Sequence, residues 1–189
     1  MNVELLNITR DSIESIGRYA GICYDSSTDK ESCIKRANHC KDRGHLATLR
    51  FAHATFRVRG ISRICSHQFV RSKHLDFLQR SQRYCKETET DFVMPDSLLK
   101  YDSVYFHYLE CLDLYKRLLD DGVKKEDARF VLPEATTTEL VVTGNFQAWL
   151  DFIKLRADSH AQWEIRAVAK EINNLLAKET DNNIFTWMP

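Results

Sequence analysis

The hydrophobic positions in the first part of the chain follow two different periods. Residues 2–6 predict a short strand, and a helix is expected to begin near Asp11. Residues 27–43 have the composition of a helix, and Gly44 is expected to end it, because glycine is typical of the position after a helix. The run LATLRFAHATFRVRG predicts a half-buried strand, because its apolar residues alternate with polar ones at Leu49, Phe51, Ala54, Phe56 and Val58.

The period becomes helical after residue 60. Apolar residues three and four apart predict a helix that contains Ile61, Ile64, Cys65 and Phe69. Residues 71–84 are too polar for a core element, so we expect the edge of a helix followed by a loop. The clearest helix follows Pro95, where leucines and tyrosines recur at three and four as far as Gly122.

The last third of the chain predicts one strand among helices. The run KKEDARFVL is a short helix that Pro133 is expected to end. Residues 136–142 are rich in β-branched side chains and predict a strand. Helices are expected over residues 146–155 and 160–177. The sum is an α+β fold, with a small antiparallel or mixed sheet flanked by several helices, in a single domain over residues 1–189.

The composition excludes several classes of protein. Lys plus Arg number 27 and Asp plus Glu number 27, so the basic excess of a nucleic-acid-coating protein is missing. Any bound anion should therefore be held by a local cluster of arginines. No apolar stretch is long enough for a membrane span, and the first residues lack the apolar run of a signal peptide. A cytoplasmic location, in a bacterium or a virus-infected host cell, is expected.

The six cysteines are scattered without a closely spaced pair, which disfavours a metal site. We expect no metal and interpret the cysteines as free thiols in a reducing compartment.

One polar stretch, residues 67–84, carries a candidate anion site. Ser81, Gln82 and Arg83 in a turn would offer one anion a hydroxyl, backbone N–H groups and a guanidinium. A solvated basic helix face is the alternative interpretation of this stretch. Its polar members are Gln68, Arg71, Lys73, Gln79, Arg80, Ser81, Gln82 and Arg83.

Two further groups of polar residues lie nearer the C-terminus. Arg129 stands shortly before Pro133, and an ordinary surface arginine, the commoner case, is its alternative interpretation. A second group surrounds a predicted helix break and includes Asn145, Asp151, Arg156, Asp158, Ser159 and His160. Arg156 ends one helix, where the helix dipole favours a cation, so a capping role is its alternative.

Four motifs in order resemble the flavin-dependent thymidylate synthases. LRADSHAQWEIRAVA resembles the C-terminal signature of that family, and ARFVLP resembles the segment before it. GISRICSHQFVR followed by SQRY resembles the signature region, and GHLATLRFAHATFRV the strand before that region. The likeness extends from about residue 20 to residue 169, nearly the whole chain.

The resemblance implies a homotetramer whose active sites lie between subunits. Such an enzyme binds FAD, reduces it with NADPH, and transfers a one-carbon unit from the folate methylenetetrahydrofolate to C5 of dUMP. The substrate is thus a pyrimidine nucleotide monophosphate, and flavin hydride completes the methyl group. The family uses no enzyme nucleophile, so we interpret Cys65 as a core residue.

The residues that match the family's nucleotide site are retained. Gln68 and Arg71 match dUMP-site positions, and Arg129 matches an arginine that reaches the phosphate from a neighbouring subunit. Arg156 matches the arginine that polarises the uracil ring, where a cation stabilises negative charge as C5 becomes nucleophilic. The phosphate loop corresponds to Gln79, Arg80, Ser81, Gln82 and Arg83.

The residues that match the flavin site are partly changed. The family's Arg-His-Arg hallmark corresponds here to Arg71-Ser72-Lys73. Ala47 stands where a hydroxyl residue is usual and Arg50 where Glu is usual. Gln147 replaces a usual Arg, and Asp151 a usual Asn or similar polar residue. The predicted cofactor-binding residues are His45, Arg71, Lys73, Asn145, Gln147 and Asp151.

Three functions follow from this pattern. The first is an ordinary flavin-dependent thymidylate synthase. The second is a relative that hydroxymethylates C5 of dUMP or dCMP, because loss of the hydride step would leave the transferred carbon unreduced. The third is a non-catalytic nucleotide-binding homologue, or an inactive partner of an active subunit.

Overall fold

The computed structural model describes residues 1–188, and its strands and helices alternate irregularly along the chain. The strands are β1 Asn2–Ile8, β2 His53–Ser62, β3 Leu75–Gln79 and β4 Thr137–Asn145. The α-helices are α1 Ser12–Ile22, α2 Lys30–Asp42, α3 Arg63–Phe69, α4 Asp102–Asp120, α5 Lys125–Ala128, α6 Phe146–Arg156 and α7 Trp163–Glu179. Short 3₁₀ turns cover Leu46–Phe51, Asp96–Leu98 and Arg129–Val131.

The four strands form one antiparallel sheet in the order β1-β2-β4-β3. His53 pairs with Asn145 and Leu75 pairs with Gly144, so the starts of β2 and β3 meet the end of β4. Alternate residues of β2 and β4 are buried, as the period of two requires when helices cover one face. The α+β prediction is confirmed, and the sheet is antiparallel.

The main core lies between this sheet and the helices α1, α2, α6 and α7. Trp149 of α6 is fully buried and meets the ring of Phe56 edge-on, with 5.0 Å between ring centroids. Its indole N–H donates to the carbonyl of Ala54 at 3.1 Å, so the one polar atom of this side chain is satisfied. This contact fixes α6, whose C-terminal end carries Arg156, against the central strand β2.

A second, smaller cluster joins α4 to α5 and to the segment after β3. Its buried members are Phe92, Leu112, Tyr115, Ala128 and Ala135. The hydroxyl of Tyr115 accepts a hydrogen bond from the backbone N–H of Glu87 at 3.3 Å. This cluster holds α5, and therefore Arg129, beside the polar turn that follows β3.

Two sequence predictions are wrong at the strand level. The segment 71–84, predicted as a helix edge and loop, contains the edge strand β3. Asp76 and Leu78 of this strand are exposed because their side chains lie on the uncovered face of the sheet, and polar residues flank the strand, so the segment was not recognised. The predicted strand through Leu49 and Phe51 starts later, at His53, since a 3₁₀ turn occupies Leu46–Phe51.

Some helix ends also differ from the predictions because side chains cap them. The last helix begins at Trp163 and not at residue 160, because the side chain of Gln162 accepts from the backbone N–H of Glu164 and Ile165. The second helix begins at Lys30, where Asp29 accepts from the N–H of Ser32 at 2.9 Å. In the described part of the chain, no helix combines the length and apolar character that a membrane crossing requires.

Candidate active site

The short helix α3 is fixed at its start by a buried carboxylate. Ser62 caps the helix by accepting from the N–H of Cys65 at 3.0 Å. The backbone N–H and hydroxyl of Ser62 donate to the two carboxylate oxygens of Glu164 at 2.7 and 2.6 Å. Glu164 therefore joins β2, α3 and α7. The sequence marked it only as an early residue of a helix.

Burial raises the pKa of the Cys65 thiol, and the nearby Glu164 raises it further, against a smaller opposing effect of Arg156. A fully buried thiol held in its neutral form is a poor nucleophile. The interpretation of Cys65 as a core residue is confirmed.

Arg156 lies at the C-terminal end of α6 and faces one side of α3. Its guanidinium donates to the backbone carbonyl of Gln68 at 3.3 Å, so these two predicted substrate residues are in contact. Its Nε atom is buried without a hydrogen-bond partner. Because a buried N–H group loses its bonds to water, such an atom is expected to meet an acceptor in the working protein.

The pocket beside Arg156 has a volume of about 520 Å³. Asp158 accepts from both the backbone N–H and the ring Nδ1 of His160, each at 2.8 Å. The backbone hydrogen bond is the main cause that lowers the pKa of Asp158. The sequence placed both residues at the helix break without giving them a role. The pocket is lined by Asp151, Lys154, Leu155, Arg156, Asp158, His160 and Ala161.

A second pocket, of about 200 Å³, lies beside α3. Gln79 contributes to it and donates to the hydroxyls of Ser66 at 2.9 Å and Thr138 at 3.2 Å. Successive residues of an α-helix are rotated by about 100° around its axis. The residues of α3 that line this pocket therefore lie on a different face of the helix from the one that meets Arg156. The pocket is lined by Arg63, Ser66, His67, Val70, Gln79, Gln82, Leu132, Pro133 and Glu134.

The predicted phosphate turn is present next to this second pocket. The carbonyl of Ser81 accepts from the N–H groups of Tyr84 at 3.2 Å and Cys85 at 2.9 Å. The hydroxyl of Ser81 accepts from the N–H of Arg83 at 3.3 Å. Arg83 then forms an ion pair with Glu126 of α5 at 3.1 Å.

Arg129 lies beside the same turn, in the same chain. Its Nε donates to the carbonyl of Glu126 at 3.1 Å, so Arg83 and Arg129 both contact this residue of α5. The expectation that Arg129 reaches the phosphate from a neighbouring subunit stays a prediction. Within one chain, Arg129 and Arg83 lie together beside Glu126.

Arg63 is a candidate residue that the sequence predictions missed. Burial lowers the pKa of its guanidinium and the charge of Arg129 lowers it further, while Glu87 and Glu134 oppose these effects. Among residues 1–188, no hydrogen-bond or ion-pair partner lies within contact distance of this guanidinium. Two arginines that repel each other beside a pocket favour an anion between them. The sequence held no signal for this, because the approach of Arg129 depends on the fold.

Arg80 has partners away from this pocket. Its guanidinium contacts the carboxylate of Glu87 at 3.3 Å and the carbonyl of Lys86 at 3.1 Å. Burial raises the pKa of Glu87, and the charge of Arg80 partly offsets this effect. These contacts give Arg80 a role in ordering the loop, and its predicted contact with substrate stays a prediction.

The predicted cofactor residues gather around one end of the sheet and the start of α6. Asn145 caps α6 by accepting from the N–H of Ala148 at 2.9 Å. The side chain of Gln147 accepts from Nε of Arg50 at 2.6 Å. His45 precedes the 3₁₀ turn that carries Arg50, and Asp151 follows one helical turn after Gln147.

The altered hallmark lies in the turn between α3 and β3. Arg71 and Lys73 are exposed, whereas the hydroxyl oxygen of Ser72 between them is buried and has no hydrogen-bond partner. Among residues 1–188, Ser72 Oγ and Arg156 Nε are the two buried side-chain atoms without a partner. Both belong to motifs that the sequence assigned to ligand binding, so a bound molecule is the natural source of the missing partners.

The predicted substrate residues of one chain therefore include two groups. Gln68 and Arg156 form the first, which we call the base group. Gln79, Ser81, Arg83 and Arg129 form the second with Arg63, and we call it the phosphate group. No described residue group of three or more His, Cys, Asp or Glu side chains has the arrangement of a metal site.

The protein is an antiparallel α+β fold with an arginine in each of two pockets, Arg156 in one and Arg63 in the other. A family model described as thymidylate synthase complementing protein matches residues 4–180, and the chain belongs to this family. It is 35% identical to the flavin-dependent thymidylate synthase of Pyrococcus furiosus, over 99% of this chain and 84% of that protein. It is 37% identical to the flavin-dependent thymidylate synthase of Geobacter sulfurreducens, over 93% of this chain and 82% of that protein.

Proposed function

We propose that the protein is a flavin-dependent thymidylate synthase of the cytoplasm, which transfers a one-carbon unit from methylenetetrahydrofolate to C5 of dUMP. The observation that carries this proposal is the unpartnered Nε of Arg156, in a family whose members are thymidylate synthases. The reaction is inferred from membership of the family, and the pockets of Arg156 and Arg63 are where we expect the nucleotide monophosphate to bind.

The phosphate group suits the phosphate end of the nucleotide. Arg63, Arg83 and Arg129 concentrate positive charge beside a turn whose serine hydroxyl is available to an anion. Charge-assisted hydrogen bonds from guanidinium to phosphate are among the stronger contacts in proteins. A phosphate here would replace the carboxylate of Glu126 as the partner of Arg83 and relieve the repulsion between Arg63 and Arg129.

The base group suits the uracil ring. Arg156 is held by the Gln68 carbonyl, and its buried Nε is a donor without a partner. A guanidinium beside the O2–N3 edge would stabilise the negative charge that develops on the ring when C5 attacks the one-carbon unit. No thiol is required for this step, in keeping with the buried, neutral Cys65.

The separate placement of the two groups supports an active site shared between copies. In one chain, Arg156 lines one pocket and Arg63 lines another, and no residue lines both. Two copies in symmetric contact would bring the phosphate group of one chain to the base group of the other. A homotetramer, in which such contacts occur in pairs, is the assembly that we propose.

The residues at the end of the sheet fit a flavin dinucleotide. Arg71, Lys73 and His45 supply exposed cationic or hydrogen-bonding side chains, and Ser72 supplies a buried hydroxyl without a partner. Asn145 caps α6, and Gln147 and Asp151 lie one helical turn apart near its start. When bound, the flavin would pass to the transferred carbon the hydride that it receives from NADPH.

A second candidate function is hydroxymethylation of dUMP or dCMP. The observation that favours it is Ser72, whose small buried hydroxyl stands at the centre of the hallmark turn in place of a histidine. In that reaction water supplies the hydroxyl of the product and no hydride is consumed. A catalytically inactive nucleotide-binding homologue is the remaining alternative.

Four measurements on the purified protein test these functions: flavin absorbance, product mass, NADPH oxidation and nucleotide binding. We expect bound flavin to give an absorbance band in the visible range, and incubation with dUMP, methylenetetrahydrofolate and NADPH to give dTMP by mass. A hydroxymethyl product formed without NADPH oxidation would favour the second candidate. Nucleotide binding with no change in product mass, under either condition, would leave only the inactive homologue.

A further inference from the structure

A third pocket, of about 280 Å³, lies between the start of α1, the start of α2 and the turn that follows α7. None of the residues with a predicted substrate or cofactor role lines it, and it shares no lining residue with the pockets of Arg156 and Arg63. Whatever this pocket binds is therefore additional to the proposed function.

The start of α1 gives the pocket a side rich in hydrogen-bond donors. Asp11 occupies the N-cap position with a left-handed backbone, at a φ of 46°, and its side chain does not cap the helix. Among residues 1–188, the backbone N–H groups of Ser12, Ile13 and Glu14 consequently have no acceptor. Free N–H groups and the helix dipole both favour an anionic group at this place.

The side chain of Ser12 is an independent indication of a ligand. Ser12 is only 5% exposed and lines the pocket, and its hydroxyl has no hydrogen-bond partner among residues 1–188. A polar group that is removed from water needs another partner to offset the hydrogen bonds that it has lost. Because the residue borders the pocket, a molecule bound there would supply that partner.

The end of α7 gives the same pocket acceptors and negative charge. Glu179 is the last residue of α7, Asp181 lies in the turn that follows, and both line the pocket. Among the described residues, neither carboxylate forms an ion pair. The dipole of a helix adds partial negative charge at its C-terminal end, so a cationic group is favoured here.

The other charged residues around the pocket leave both charges available. Asp11 is paired with Arg10 at 3.5 Å, and Glu14 is paired with Arg18, so these two carboxylates are locally balanced. Lys30, the first residue of α2, lines the pocket and has no carboxylate within ion-pair distance among residues 1–188. The pocket therefore offers a cation and N–H donors as well as unpaired carboxylates.

Apolar side chains complete the lining. Ile8, Ile13 and Ile34 border the pocket, and Ile13 belongs to the main core. Apolar surface beside donors and carboxylates fits an aliphatic molecule that carries both a negative and a positive charge. A pocket of about 280 Å³ is smaller than those that hold drug-sized ligands, so the molecule is a small one.

We propose that this pocket binds a free aliphatic α-amino acid. Its carboxylate accepts hydrogen bonds from the N–H groups at the start of α1 and from the hydroxyl of Ser12. Its ammonium donates to the carboxylates of Glu179 and Asp181, and its side chain contacts the isoleucines. A simple anion would lack a partner for the two carboxylates, and a simple amine would leave the donors of α1 unsatisfied.

Titrations of the wild-type protein, followed by ligand-observed NMR, test this proposal with L-leucine as the probe. Isocaproate has the same aliphatic body without the ammonium, and isoamylamine has it without the carboxylate. We expect each analogue to bind at least about tenfold more weakly than L-leucine, because the groups on one side of the pocket then have no partner. Equal affinities for L-leucine and either analogue, or no binding of L-leucine at about 10 mM, would overturn the proposal.

Variants test whether L-leucine occupies this pocket. Ser12→Ala should weaken its binding by about threefold to tenfold, the range for loss of a neutral hydrogen bond. Asp181→Asn should weaken it by about twofold to fivefold, as loss of an exposed charge contact does. Asparagine tolerates the left-handed φ of 48° at this position. Asp25→Asn is the matched control, because Asp25 has a φ of 46° and lies outside the pocket, and it should leave the affinity unchanged.

Melting temperatures without ligand show whether each variant is folded. If the buried Ser12 position does not tolerate Ala, Lys30→Gln replaces that variant, and a loss of about twofold to fivefold is expected from it. Wild-type affinity in the folded variants would mean that L-leucine binds elsewhere, which would overturn the assignment of this pocket. Raising the ionic strength should weaken L-leucine binding to the wild type, since salt screens exposed charges.

Discussion

Arg83 and Glu126 form an ion pair at 3.1 Å that joins the turn after β3 to α5. Both side chains are partly exposed, so the pair itself contributes little to folding stability. Its consequence is positional, because the pair orients the Arg83 guanidinium before any ligand arrives, while the backbone N–H of Arg83 bonds the hydroxyl of Ser81. A phosphate that binds here has to displace the carboxylate of Glu126 from Arg83, and it then contacts a guanidinium that is already oriented.

Replacing Arg83 with Ala should therefore weaken dUMP binding by about tenfold to a hundredfold, the range for loss of a charged hydrogen bond. Glu126→Gln keeps the guanidinium and should change the affinity much less. Isothermal titration calorimetry measures both values. Deoxyuridine, which lacks the phosphate, is the matched ligand: its affinity should not respond to Arg83→Ala, and an equal loss for both ligands would contradict a phosphate contact.

The substitution Arg63→Gln should affect stability differently in the free protein and in the presence of dUMP. Arg63→Gln removes the repulsion from Arg129, so the free protein should keep its stability or gain up to about 1 kcal/mol after solvent screening. The rise in melting temperature that saturating dUMP causes should become smaller, because a ligand stabilises only through contacts with the folded state. Differential scanning fluorimetry reads both quantities. If dUMP stabilises the variant as much as the wild type, Arg63 takes no part in phosphate binding.

These two arginines illustrate what the sequence could predict of the site. Arg83 follows Ser81 in a short polar run, so the local chain alone indicates a turn with an anion-binding side chain. Arg63 is far along the chain from Arg129, and only the packing of α3 against the segment around Pro133 brings them together. A residue whose role depends on such an approach leaves no pattern in the sequence.

The fold also contains elements that the local sequence predicts and elements that depend on distant contacts. The long amphipathic helix after Pro95 was recognisable because one face is repeatedly apolar over several turns. The edge strand β3 was not, since Asp76, Leu78 and Arg80 face solvent and only Leu75 and Phe77 pack inward. Its pairing with β4 comes from contacts distant in sequence. The cap that delays α7 to Trp163 depends on a single glutamine side chain.

The buried Glu87 should make stability fall as the pH rises. Burial raises its pKa above the ordinary value of 4.5, so the unfolded chain ionises first and the folded protein ionises this group at a cost. Stability from this group is therefore complete below pH 4.5 and decreases as the pH passes through the raised pKa. The charge of Arg80 reduces the size of the effect without reversing its direction.

Glu87→Gln should remove this pH dependence. Urea unfolding of the wild type and the variant, at about pH 4 and about pH 7, gives the free energy of unfolding at each condition. We expect the wild type to lose stability relative to Glu87→Gln between the two conditions. A difference between the proteins that stays constant with pH would show that Glu87 ionises as freely in the folded chain as in the unfolded one.

Glu164 should be important for stability and not for ligand recognition. Glu164→Ala leaves the N–H and hydroxyl of Ser62 buried without acceptors, and each unsatisfied donor costs about 1–3 kcal/mol. We expect the free energy of unfolding to fall by about 3 kcal/mol, measured by urea denaturation. Glu171→Ala on the exposed side of α7 is the control and should have little effect. A stable Glu164→Ala would mean that α3 starts without this carboxylate.

Mixed subunits test whether the active site is shared, and the structure decides which variants to mix. Arg83 and Arg129 lie together in one chain, so Arg83→Ala and Arg129→Ala disable the same group and should not complement each other. Arg83 belongs to the phosphate group and Arg156 to the base group. Subunits of Arg83→Ala and Arg156→Ala, unfolded together and refolded, should therefore regain activity.

The size of the recovery follows from symmetry. In a random equal mixture half of the interfaces are mixed, and one of the two sites at each mixed interface has both wild-type groups, so roughly a quarter of wild-type activity is expected. The Arg83→Ala and Arg129→Ala mixture, treated identically, gives the background. Equal activity in the two mixtures would mean that each chain completes its own site. A nucleotide would then have to reach Arg156 and Arg83 from within one subunit, although no residue lines both the pocket of Arg156 and the pocket of Arg63.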